Sequence, residues 1–198
     1  MLRDTPSSKE ETQPSVTIAE VISIKPDDTK VMPQEPVMNV PAELKEKHFK
    51  ILYGDTGYSY ENMLGNYLKG AKTITIEDPY IRLTHQIQNF LRFCELAVKV
   101  GSAQSINLIT GYDDDKQKAE IEDKLQIIAS SLLYFGVKLQ VTFKKELHDR
   151  EIILDNGWKI KIGRGFDFYQ KPEDWFAIGA NDLDLRPCLE TSVDIFKE

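Results

Sequence analysis

A chain of 198 residues, 41% of them hydrophobic, carries enough apolar material for one domain with a packed core and little beyond it. The net charge of −7 excludes broad, indiscriminate binding to phosphate-rich surfaces, so an anion site has to be local and built from a few placed residues. Two cysteines, Cys94 and Cys188, supply neither a disulfide framework nor metal-ligand spacing, and no apolar run reaches the roughly 18 residues of a membrane-spanning helix.

Residues 1–47 hold 6 basic and 9 acidic side chains, with Pro6, Pro14, Pro26, Pro33, Pro36 and Pro41 spaced among Ser, Thr, Glu and Lys. Such a composition buries too little apolar surface to offset the entropy of ordering, and the segment reads as a disordered tail or linker. Within it, residues 16–24 form one short apolar run suited to an edge strand or a partner contact. The first 13 residues are polar and lack the apolar core of a secretory signal, which together with the unpaired cysteines points to the cytoplasm. A tail of this kind more often joins domains than opens a protein, so the chain reads as the end piece of a longer one.

From His48 the pattern alternates between strands and helices, as in an α/β domain. Residues 49–53 read as a strand ending at Gly54, and 60–68 as a short helix stopped by Gly70. Residues 72–76 form a β-branched strand running into Glu77-Asp78-Pro79. Pro79 is expected to open a long helix with Leu83, Ile87, Phe90, Leu91, Cys94 and Val98 at helical spacing and Gly101 at its close. A buried strand follows at 106–109. Asp113, Asp114 and Asp115 stand where a helix dipole favours anions, so they read as a helix cap rather than a metal site. The stripe of that helix is Ile121, Leu125, Ile128, Leu132 and Phe135, with Gly136 as its stop. Strands are expected at 137–143 and 149–154, and Asp155-Asn156-Gly157-Trp158 spells a type I′ hairpin turn into a return strand at 158–162. The remainder, with Trp175, Phe176, Leu185, Val193, Ile195 and Phe196, is apolar enough to pack back on the sheet.

This order has a chemical consequence, because ligands of open α/β sheets collect at the carboxyl ends of the parallel strands. Asp78 and Thr110 lie there. If the strand at 137–143 runs parallel to its predecessors, His148 and Arg150 start the next strand from the same rim, and the hairpin returns Gly163-Arg164-Gly165 to their side. Two positions apart on a strand, His148 and Arg150 share a face. A histidine beside a guanidinium suits a phosphate, and glycines at 163 and 165 would let backbone amides approach an anion. The plainer reading of His148 and Arg150 is a strand-end pair held by Asp149 or Glu151.

The stretch His148-Asp149-Arg150-Glu151-Ile152-Ile153-Leu154-Asp155 resembles a degenerate phospholipase D signature, His-x-Lys-x-x-x-x-Asp, with arginine in place of lysine. Tyr53-Gly54-Asp55-Thr56-Gly57, Ile76-Glu77-Asp78-Pro79-Tyr80-Ile81-Arg82, Asn89-Phe90-Leu91-Arg92-Phe93-Cys94-Glu95, Lys161-Ile162-Gly163-Arg164-Gly165, Asp184-Leu185-Arg186-Pro187-Cys188 and Val193-Asp194-Ile195-Phe196 resemble the C-terminal domain of MIT domain-containing proteins. The likeness covers nearly all of 48–198, in order. It implies a single phospholipase D-like domain, a mixed sheet flanked by helices, that generally dimerises and binds phosphoinositide-bearing membranes without catalysis. In relatives an N-terminal three-helix module recruits membrane-scission machinery, which residues 1–47 cannot supply. Related domains also resemble C-terminal parts of bacterial ATPases, including Lon-like proteins of phage defence, and the linker-like start suits an upstream ATPase domain in a longer parent.

Two functions are expected in competition, beside a third reading in which the domain is a dimerisation platform with a vestigial pocket. In the favoured one the domain is a non-catalytic homodimeric module, without cofactor, that recognises a phosphate-bearing ligand, either a lipid headgroup or nucleic acid. His148, Arg150, Arg164 and Arg186 make the contacts, and Asp78, Thr110, Gly163 and Gly165 surround them. In the other it is a phosphodiesterase or nuclease in which His148 attacks phosphorus. Enzymes of this kind use two facing histidine motifs and this chain has one, so a dimer would have to bring two His148 side chains together. Asp155 reads better as a hairpin residue than as the group that orients His148, and His85 departs from the apolar stripe of its helix.

Overall fold

Alternating β-branched and polar residues produce seven strands, which the apolar stripes of three helices cover. The computed structural model describes residues 43–198, so most of the expected tail, including the apolar run at 16–24, lies outside the described residues. In chain order the elements are β1 (Lys47–Ile51), α1 (Tyr60–Leu68), β2 (Thr73–Glu77), α2 (Thr84–Val100), β3 (Ser105–Thr110), α3 (Asp115–Tyr134), β4 (Lys138–Phe143), β5 (Glu151–Leu154), β6 (Trp158–Ile162) and β7 (Thr191–Lys197). They form one mixed sheet in the order β1-β7-β6-β5-β2-β3-β4, parallel at β2/β3 and β3/β4 and antiparallel elsewhere.

Helix α2 packs against both α1 and α3, so the three helices make one layer. Beneath them the strands bury Ile74, Ile76, Ile106, Leu108, Ile160 and Ile195, and an aromatic cluster closes the core around Tyr60, which meets Phe166, Phe168 and Tyr169 edge-on. Cys94 is buried on α2 as its stripe predicts. The alternate strand positions, among them Thr75, Asn107, Lys159 and Asp194, form the other face of the sheet.

Four expectations are corrected. Helix α2 begins at Thr84 rather than Pro79. The Asp78 carboxylate takes the Tyr80 N–H at 2.9 Å, a local turn that competes with helix, and the Gln86 side chain caps the N–H groups of Arg82 and Leu83. Phe135 stands 59% exposed because it lies past the last turn of α3. Three residues, 155–157, link β5 and β6, with Gly157 at φ +90 and its N–H donated to Leu154, the bulged three-residue loop rather than a two-residue turn. Finally, of the six terminal residues expected to pack on the sheet, only Val193 and Ile195 are buried, on β7 between β1 and β6, while Trp175, Phe176 and Leu185 face solvent.

Candidate functional site

The topology gathers strand ends on one rim. β2, β3 and β4 finish there, β5 and β7 start there, and β6 returns to it. The register places His48, Asp194, Lys161, Glu151 and Glu77 in one cross-strand row near that rim. Two close polar pairs form along it: His48 Nδ1 lies 3.0 Å from Asp194 Oδ1, and Lys161 Nζ lies 3.2 Å from Glu151 Oε2.

Arg150 is the best-held cation of the rim. Its Nε lies 3.6 Å from Asp78 Oδ1, its Nη1 donates to the Gly163 carbonyl at 3.4 Å, and its guanidinium stacks 3.9 Å from the centre of the Tyr80 ring. Asp78 is 4% exposed; burial raises its pKa, and the Tyr80 N–H, Arg150 and the Phe166 N–H pull it back down. Gly165 makes this possible, since at φ +57 a Cβ there would fall 1.9 Å from Asp78 Oδ2. The glycines therefore serve the arginine's support rather than an anion directly. Both amides are already used, Gly163 N–H by the Ser192 carbonyl and Gly165 N–H by the Ile162 carbonyl.

Beside Arg150 a groove of about 520 Å³ is lined by Tyr80, His148, Arg150, Lys161, Gly163, Ser192 and Asp194. It unites His148, Arg150 and Gly163 of the expected set. His148 is exposed, and it sits in the loop before β5 rather than on the strand, so strand alternation does not set its direction. Among the described residues it forms no hydrogen bond or ion pair. Thr110 is fully buried, with an unpartnered Oγ1. Arg164 reaches the rim, but its Nε donates to the Glu190 carbonyl at 3.1 Å and it does not line the groove. Arg186 lies elsewhere, buried and bonded to the carbonyls of Gly179, Ala180 and Gln170.

Asp155 caps the opposite end of β5, accepting the Lys72 N–H at 2.8 Å, and so is not the partner of His148. His85 pairs with Asp167 at 3.4 Å, in a different cleft. Sequence reasoning missed Tyr80, Lys161, Ser192 and Asp194. Lys161 was within reach, because it stands two residues before Gly163 on the strand that pairs with β5.

A single mixed sheet of seven strands with three helices is the architecture of a phospholipase D-like domain. The chain belongs to the family of phospholipase D-like domains found at the C-terminus of MIT, whose model matches residues 57–197. It is 47% identical over 152 residues to MIT domain-containing protein 1 of mouse (Mus musculus), an alignment that covers 76% of this chain and 61% of that relative. The chain thus spans about three-fifths of that relative's length. Among the described residues no helix is long and apolar enough to cross a membrane.

Proposed function

We propose that the domain is a non-catalytic module of the cytoplasm that binds a phosphate-bearing lipid headgroup in the groove, as a homodimer. Arg150 clamps the phosphate, and Lys161 and His148 flank it. What supports the reading is the fixing of Arg150 by Asp78, Tyr80 and Gly163 before any ligand arrives, since a pre-oriented guanidinium loses little freedom on binding. A net charge of −7 favours one compact headgroup over a long polyanion. Dimerisation is supported by the sheet face opposite the helices, which the described residues leave uncovered even along the parallel strands β2, β3 and β4.

Co-sedimentation with vesicles containing phosphatidylinositol bisphosphate tests the reading. Binding should fall about tenfold in Arg150→Ala, the worth of one charge-assisted pair, and less in Arg150→Lys. A wild-type level in Arg150→Ala would sink it, as would tighter binding to single-stranded DNA. Sedimentation equilibrium should show a dimer; a monomer at micromolar concentration removes that part. The enzymatic alternative needs an oriented histidine, and Asp155 stands at the wrong end of β5 to provide one. A chromogenic phosphodiester should therefore remain uncleaved, and turnover abolished by His148→Asn would reverse the assignment.

A further inference from the structure

A second cleft, of about 420 Å³, lies between α2 and the segment that follows β6, with none of the groove's residues in its walls. Arg92 reaches it from α2, and Tyr169, Lys171, Trp175 and Arg186 reach it from the other side. Its charge is unbalanced. Arg186 is 4% exposed and bonded only to backbone carbonyls, and Arg92 donates to the Asn89 amide oxygen at 3.0 Å. Among the described residues neither guanidinium nor Lys171 has a carboxylate partner, and the nearby Asp167 is taken by His85 and by the Gln86 amide. Burial, and next the charge of Arg92, lowers the pKa of Arg186: two guanidiniums and Lys171 share a cleft whose lining holds one carboxylate, Asp167.

At the mouth of this cleft the chain displays apolar side chains. Trp175 is 53% exposed, Phe176 99% and Ile178 92%. They stand on a hydrogen-bonded scaffold, with Phe176 N–H and Ala177 N–H donated to Asp174 and the base of the segment tied by Arg186 to Gly179 and Ala180. Large apolar groups held in water on a fixed support are the mark of a contact surface.

We infer that this cleft binds a short peptide segment in which an acidic side chain adjoins apolar ones. The carboxylate lies between Arg92 and Lys171, within the field of Arg186, and the apolar neighbours cover Trp175, Phe176 and Ile178. A small molecule that only filled the cleft would leave Phe176 and Ile178 bare. An anionic bilayer or a nucleic acid would spread negative charge onto Glu173 and Asp174, which immediately precede Trp175, whereas a single peptide carboxylate can stay with Arg92 and Lys171.

Selection of a random heptapeptide display library on the full chain tests this, followed by fluorescence anisotropy with the enriched peptides. Enriched sequences should carry Asp or Glu beside Leu, Ile, Phe or Trp. Binding should weaken about tenfold in the double variant Arg92→Gln, Lys171→Gln and in Trp175→Ala, and should not change in Arg150→Ala. Lys171 is exposed, so Lys171→Glu serves as the charge test if the double variant fails to fold. The inference is overturned by no enrichment, by enrichment without acidic residues, by full binding in the charge variants, or by equal loss in Arg150→Ala. Failure of the lipid reading leaves these outcomes unchanged, because the two sites share no residue.

Discussion

Asp78 and Gly165 show how closely the groove's support is built. Gly165→Ala drives a Cβ into the buried carboxylate and leaves alanine at positive φ, so unfolding free energy should fall by about 2–3 kcal/mol. Gly157→Ala, with φ +90 but open space around it, should lose only about 1 kcal/mol. Urea denaturation of the two variants separates the clash from the backbone effect, and equal losses would deny the clash. Asp78 also sets a pH dependence. Its folded pKa is raised, chiefly by burial, so its contribution is present below the ordinary carboxylate value near 4 and is lost as pH rises through the raised value. Unfolding free energy of Asp78→Asn relative to the natural protein should therefore climb with pH above about 4 and then level off; a decline over that range contradicts the sign. At this scale the sequence showed that Asp78, Arg150 and the glycines belong together. It did not show why, because the contact between Gly165 and a carboxylate 87 positions earlier is tertiary.

At the scale of elements, apolar periodicity placed α1, β6 and the body of β1 to β5, since burial under one helix layer imposes a two-residue alternation that survives in the sequence, but it did not mark β7 as a strand. It misplaced the start of α2. Proline at a first turn is a fair helix signal, but Asp78 and Gln86 satisfy the backbone differently. Gln86 caps two amides and also donates to Asp167 at 3.1 Å, so Gln86→Ala should destabilise the domain by about 1 kcal/mol. Thermal unfolding checks this, and an unchanged midpoint would mean solvent replaces the cap. The segment containing Trp175 and Phe176 misled for a different reason. Aromatic content looks the same in a core as on an exposed contact surface, and only the register of β7 shows that Val193 and Ile195 already fill the space.

For the whole molecule, the mixed order of the sheet assembles the groove. Three parallel strands carry Asp78 and Thr110 to one rim, and the antiparallel strands bring Arg150, Lys161 and Ser192 back to it. Arg186, expected at the same place, instead secures a second cleft, so the chain carries two separate groups of cations on an acidic body. Local cation groups of this kind predict binding that weakens with salt but does not spread to every polyanion. The most direct measurement is a heteronuclear NMR titration of the full chain with soluble inositol bisphosphate. The account predicts saturable shifts at the Arg150 Nε–H, the His148 ring and the Lys161 amide, with those of His148 and Lys161 needing about tenfold more ligand in Arg150→Ala. Shifts confined to the cleft of Arg92 and Trp175, or none at millimolar ligand, would contradict it.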